Sequence, residues 1–464
     1  MPTDKNHFLD EESLKEMLRK GEWLQQNSAM LIFHGVGSQR TLETLDEFAR
    51  GLIETYDEYG SIPHDEIHLS HHLAKKPTGR GGTWFDNFIR IKREGSDFHL
   101  DLYEYYWAHY SEHKVTLDTM QAWVEYTYKG AKNFYAQKKM GERYRDKSPF
   151  FDQNGCFRPL RYKFSLMAAL QAIPMITRSI NGALGLLRKI PIVGNFLILP
   201  MATKLRDSIY YQLCNVAGDV VVYNTRDPKF EHYSLHRKIL VGAVNAIRYL
   251  VEPDNNGDGT FRLRYDRVIV AGHSLGSQIS FDAINRLTHL IVQGELNGVS
   301  PDGTLIVKSG NGDRNIADIL CGFVTFGSPL DKVAFFLEER AKEKAYLRAQ
   351  MLSHFHSFKQ KEQSLTDEKV SSPCGATPVI KKPTFALENN LLPKIFDDIA
   401  WSNYHDRDDP VSGSLDYYNK VRNIDCRFRQ EKDVKLSAIY PFSHSCYWTH
   451  KPMYADIITK HLLH

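Results

Sequence analysis

The sequence predicts an α/β fold, a mostly parallel sheet with helices on its faces. Three observations carry the prediction. Two short apolar runs without polar alternation, "MLIF" at 30–33 and "VIVA" at 268–271, read as strands buried on both faces. Each runs into a glycine-containing turn and then into a helical pattern, the order of parallel strand–helix units. Strand-like and helix-like segments alternate along the chain, and no internal repeat is visible.

Taken in order, "DEESLKEMLRKGEWL" opens with a capping acid and spaces Leu14, Met17, Leu18 and Trp23 on one helical face. "AMLIFHGVGSQR" is a buried strand entering a glycine loop, and "TLETLDEFARGLIETYDEYG" is an amphipathic helix with Gly60 near its C-cap. "TWFDNFIRIKR" and "HLDLYEYYWAHY" read as two further strands, and "GDVVVYNT" as a short one. "EHYSLHRKILVGAVNAIRYLV" is an amphipathic helix, and "EPDNNGDGTFRLRYD" is rich in turn residues. "RVIVA" is a strand and "SLGSQISFDAINRLTHLI" a helix, and "ILCGFVTFGSP" is a strand entering a Gly-Ser-Pro turn. The polar stretch 359–382 reads as a loop. "IFDDIAWSNYHD" and "VRNIDCRFR" are late strands, and "PMYADIITKHLLH" is a terminal helix.

This divides the chain into an N-terminal helix at 1–28, an α/β core at 29–112 and 214–464, and a helical, apolar insertion or lid at 113–213. At 464 residues the chain is long enough for a large core. Within the insertion, Arg178, Arg188 and Lys189 cut the apolar stretch 164–203 into the uncharged runs 164–177, 179–187 and 190–203. Each falls short of the roughly 20 apolar residues a spanning helix needs. Three readings stay open for 164–203: a lid over a lipid site, a surface for peripheral membrane contact, or buried core. Basic and acidic residues nearly balance, 59 against 56, so no nucleic-acid partner is expected. Six scattered cysteines without a CxxC pair fit a reducing compartment. The charged N-terminus lacks the apolar run of a signal peptide, so a cytoplasmic location is expected, with membrane association through 164–203 as its variant.

Chemistry concentrates at Gly272-His273-Ser274-Leu275-Gly276, a G-x-S-x-G pentapeptide between a buried strand and a helix. That context makes a nucleophile elbow: the serine sits in a strained turn that lifts Oγ above the sheet, and a Cβ at either glycine would crowd the neighbouring strand or helix. The Leu275 amide, at a helix N-terminus, then faces a developing oxyanion. A second donor is expected in the loop after "LIF", where His34-Gly35-Val36-Gly37 aims the Val36 amide into the site. The bland reading of both is a glycine turn between strand and helix.

An acid and a base should follow the serine in the chain. Asp409 in "NYHDRDDPVSG" lies on the loop after a late strand, where it can hold a histidine in the right tautomer. Asp408 and Asp406 in the same loop, and Asp331 in "FGSPLDK", are the alternatives, with loop capping as the role of those not used. His444 in "PFSHSCYWTH", before the last helix, is the expected base, and His450 is the alternative. His461 and His464 read as surface residues of the terminal helix, and His34 and His273 as residues flanking the site.

Together "LIFHGVG", "VIVAGHSLGS", "VTFGSPLDK", "DDPVSG" and "HSCYW" resemble the α/β-hydrolase superfamily, in particular its lipase-like and esterase branches. The resemblance covers the first buried strand and most of the chain from Gly218 onward, and departs from the family in the long stretch between the first glycine loop and the elbow. It implies an α/β-hydrolase fold with a triad carried onto Ser274, Asp409 and His444. It also implies a serine hydrolase that cleaves carboxylic esters with no cofactor, lipid or long-chain acyl esters being favoured by the apolar insertion. A phospholipase, thioesterase or acyltransferase would use the same triad, and so would an amidase or peptidase; a catalytically inactive scaffold is the third class. "DNNGDGT" imitates the start of a calcium loop, but Tyr265 stands where a bidentate glutamate belongs, so a tight loop is expected there. "IPIVGNF" lacks the Gly-Lys-Ser/Thr of a phosphate loop, and no His/Glu spacing suggests a metal. Glu104 in "YEYYWA" reads as a strand-end acid.

Overall fold

Strands β2 (Ser28–Phe33) and β8 (Arg267–His273) lie side by side and parallel at the heart of the sheet, with Phe33 opposite Gly272. Their side chains alternate between two cores. Ala29, Leu31, Phe33, Val268 and Val270 enter one; Met30, Ile32, Ile269 and Ala271 enter the other. Both faces demand apolar residues, which is why each strand reads as a continuous hydrophobic run. In this computed structural model the described residues are 7–20, 23–35, 42–60, 62, 64–74, 87–110, 128, 158–160, 223, 233–258, 260–306, 314–330, 358–359, 394–406, 409, 412–415, 418–428 and 442–463.

Among them, nine strands form one sheet in the order β1-β11-β10-β9-β8-β2-β5-β4-β3. The others are β1 (His7–Phe8), β3 (Ile67–Leu73), β4 (Asn87–Arg93), β5 (His99–Tyr105), β9 (Leu320–Phe326), β10 (Ala400–His405) and β11 (Val421–Asp425). Every pairing from β1 through β5 is parallel; β4 and β3 add an antiparallel edge. The turn-rich stretch after residue 252 holds a small separate hairpin, β6 (Asp254–Asn255) with β7 (Phe261–Arg262). There Arg264 takes the Asp254 carboxylate, the first oxygen of the calcium-like string.

Helices cover both faces. α1 (Glu11–Lys20), α2 (Glu43–Tyr59) and α6 (Lys451–Ile457) pack together over one. α3 (Tyr233–Val251) and α4 (Leu275–Val292) pack over the other. The short α5 (Ile316–Ile319) leads into β9 behind an Asn315–Asp318 capping box. The molecule is thus an α/β protein built on a mostly parallel sheet flanked by helices. The described residues contain no helix long and apolar enough to cross a membrane.

Two expectations change. Of "GDVVVYNT" only Tyr223 is described, and it is helical and buried, with its hydroxyl 2.9 Å from Asp282 Oδ2. His461 is not a surface residue. It is 2% exposed, on a π-helical turn, Ile458–Leu462, that continues α6, and its Nε2 lies 2.8 Å from Ser402 Oγ. Gly322 of β9 leaves room for the ring, since a Cβ there would stand 3.0 Å from its Nδ1. Burial, with the nearby Arg422, holds this imidazole neutral with a pKa of about 4. The 113–213 insertion, with the 164–203 stretch, lies outside the described residues except for Tyr128 and 158–160, as do His464 and all of 359–382 but Lys359.

Candidate active site

The elbow forms where the pattern places it. β8 ends at His273, α4 begins at Leu275, and Ser274 between them has φ 52° and ψ −127°. For a serine this left-handed backbone costs on the order of 1–3 kcal/mol, held by the surrounding packing. The Ser274 N–H donates to Phe326 O at 3.1 Å, which ties the turn to β9. Both glycines are required by close approach. A Cβ on Gly272 would stand 2.6 Å from Ser277 Cα, and one on Gly276 would stand 2.3 Å from Phe33 O and 2.5 Å from His34 O. The Ser274 turn is therefore clamped between α4 and the exit of β2.

Three separate strand exits meet at this serine. His444, on the 3-10 helix Phe442–Thr449, has its Nε2 2.9 Å from Ser274 Oγ and its Nδ1 2.9 Å from Asp409 Oδ2. Asp409 follows β10 and is buried, while the His444 side chain keeps 21% exposure. A carboxylate only accepts, so Nδ1 carries the proton and Nε2 is free to accept from the serine hydroxyl. Gly327, at φ 61°, leaves space for the imidazole; a Cβ there would be 3.0 Å from His444 Cε1.

His273 backs His444. Its ring stacks on that of His444 with centroids 5.0 Å apart, and its Nε2 lies 3.3 Å from His444 O. Burial, then the neighbouring His444, drives its pKa down to about 3, so it stays neutral and adds no charge beside His444. His34 joins β2 to the end of β5. Its Nε2 accepts the Trp107 N–H at 3.0 Å and its Nδ1 donates to Gly35 O at 2.7 Å. Burial lowers its pKa to about 4. Gly35 packs directly on the elbow, since a Cβ there would be 2.8 Å from Ser274 Cβ and 2.9 Å from His273 Nδ1.

The competing residues separate. Asp406 Oδ2 accepts the Phe428 N–H at 2.8 Å, the capping role open to a loop aspartate. His450 stands at the N-cap of α6 with its ring against Phe428. Asp408, Asp331 and Val36 lie outside the described residues. Leu275 is described, and as the first residue of α4 it offers its amide at the helix N-terminus beside Ser274. Glu104 is 2% exposed on β5, and its Oε2 accepts the N–H of Leu42, the left-handed residue before α2. Burial raises its pKa to about 7, against the pull of Thr44 and the Leu42 and Leu45 amides.

Sequence reasoning missed one residue in contact with the Ser274, His444 and Asp409 group. The Tyr447 hydroxyl donates to Asp409 Oδ2 at 3.0 Å, the same oxygen that faces His444. A signal was present: in "HSCYW" the tyrosine stands three residues after the histidine, and a 3-10 helix eclipses positions i and i+3. A cleft of about 230 Å³ between α2 and this helix is lined by Glu47, Arg50, Glu54, Lys451 and Trp448 among others, and Ser274 is not part of its wall. No group of three or more metal-ligating side chains is gathered among the described residues.

In comparisons with known proteins, no family model, curated protein or solved structure matches this chain. Any functional reading therefore rests on the site itself.

Proposed function

We propose that the protein is a serine hydrolase of the α/β-hydrolase type that cleaves carboxylic esters through an acyl-enzyme on Ser274. The observation that carries this is the pair of 2.9 Å contacts from one imidazole, to Ser274 Oγ on one side and to Asp409 Oδ2 on the other. Support for the fold comes from the sheet order. The elbow strand β8 lies beside β2, whose loop is assigned the second oxyanion donor, and the acid and base follow β10 and β11 in the chain.

The chemistry follows from the donors. His444 Nε2 takes the proton as Ser274 Oγ attacks the ester carbonyl, and Asp409 stabilises the imidazolium that forms. The carbonyl oxygen becomes an oxyanion that receives the Leu275 amide and, on the sequence assignment, the Val36 amide. His444 then gives the proton to the leaving alcohol. Water repeats the cycle on the acyl-enzyme, releasing the acid and restoring Ser274. The lipid or long-chain acyl preference rests on the apolar stretch 164–203 of the sequence. A fluorophosphonate, which esterifies an activated serine, tests the reading: wild type takes the label and Ser274→Ala does not.

A further inference from the structure

The hydrogen bonds around Asp409 run in one direction, and a backbone amide sets that direction. The Asp406 N–H points at Tyr447 Oη at 2.9 Å, and an amide can only donate. Tyr447 Oη therefore accepts there, and its own hydrogen goes to Asp409 Oδ2, 3.0 Å away. Asp409 Oδ2 thus receives two hydrogens, one from Tyr447 and one from His444 Nδ1. The frame is rigid. Tyr447 is 0% exposed, its ring packs on Phe428 and Phe326, and Asp406 is anchored in turn by the Phe428 amide.

We propose that Tyr447 is a positioning residue that dictates which kind of atom residue 409 presents to His444, and so holds His444 in the tautomer that accepts from Ser274. The inference rests on the hydrolase reading for its catalytic half. Its structural half stands on the hydrogen-bond directions alone.

The consequence is specific. In a Ser-His-Asp protease an asparagine in place of the aspartate leaves the geometry intact but puts the histidine in the wrong tautomer, at a cost of about 10⁴-fold in kcat. Here Asp409→Asn meets a tyrosine hydroxyl that must donate to the same position. The amide oxygen is held there and the NH2 is turned away, so His444 keeps its proton on Nδ1. The variant loses the carboxylate charge but keeps the tautomer, so its kcat falls by clearly less than the about 10⁴-fold that the wrong tautomer costs. Removing the hydroxyl with Tyr447→Phe frees the amide to flip. In that background Asp409→Asn costs about 10⁴-fold relative to Tyr447→Phe alone, with KM little changed in each case.

The test uses the full chain with kcat counted per fluorophosphonate-titratable site, so that partly unfolded protein does not contribute. Equal costs of Asp409→Asn in the two backgrounds, within about twofold, would overturn the proposal, because additivity is what a merely structural tyrosine gives. If Tyr447→Phe does not fold, nitrogen NMR of the His444 ring in Asp409→Asn alone decides: a proton on Nδ1 supports the proposal and one on Nε2 refutes it. Failure of the hydrolase reading is separate, since it appears as wild type that takes no label at Ser274, whatever the tautomer.

Discussion

Gly276→Ala puts the most weight on the elbow geometry. The new Cβ would stand 2.3 Å from Phe33 O and 2.5 Å from His34 O, where ordinary contact begins at 3.4 Å. Both obstacles are backbone atoms, so no rotamer change relieves them. β2 is fixed between β5 and β8, so the start of α4 must retreat by about 1 Å. That shift carries the Leu275 amide with it. An oxyanion donor works at about 2.7–3.1 Å, so a displacement of this size removes it, and losing one donor costs about 10²–10³ in kcat, or about 3–4 kcal/mol. Overpacking costs a further 1–3 kcal/mol or so of stability. The assay is kcat and KM on a p-nitrophenyl ester with titrated active sites, beside thermal unfolding. The expected result is a kcat lower by at least about 10²-fold with KM nearly constant. A kcat per active site within about twofold of wild type would refute the oxyanion role of Leu275 even if stability fell.

Two predictions concern stability and substrate. Glu104 has a folded pKa of about 7 against an ordinary 4.5, so burial penalises its ionised form. Below pH 4.5 it is protonated in both states and nothing is lost; between pH 4.5 and 7 the native state gives up about 3 kcal/mol. Glu104→Gln should therefore exceed wild type in urea stability at pH 8 and match it near pH 4.5; a difference independent of pH would refute this account of Glu104. On a p-nitrophenyl ester series, the assignment of lipid-like substrates expects decanoate to be hydrolysed with a higher kcat/KM than acetate, and the reverse order would remove it.

The sequence made the centre of the fold legible because burial on both faces leaves little freedom. β2, β8 and β9 each read as apolar runs, and the glycines of the elbow are forced by backbone approaching backbone. The edge was harder. β3, "IHLSHHL", has no buried residue, and its apolar alternation at Ile67, Leu69 and Leu73 is broken by His71, so the pattern is weak. His461 was misplaced because a terminal helix usually faces solvent at its last turn, whereas here Gly322 opens a space beneath the sheet. Motif, loop position and chain order single out Ser274, Asp409 and His444, and the structure brings these three side chains within hydrogen-bond reach. For Tyr447 the i+3 spacing from His444 marks only its place; the direction of its hydrogen bonds, set by a backbone amide 41 residues away, is not carried by any residue pattern.

The most direct test of the account is the place of covalent capture. Wild-type protein treated with a fluorophosphonate and digested should carry one adduct, on the peptide containing Gly272-His273-Ser274, and Ser274→Ala should carry none. His444→Ala should be labelled far more slowly, because the hydroxyl then has no base to receive its proton. Absence of label from folded wild type, or an adduct that persists in Ser274→Ala, would contradict the claim that this serine is the nucleophile.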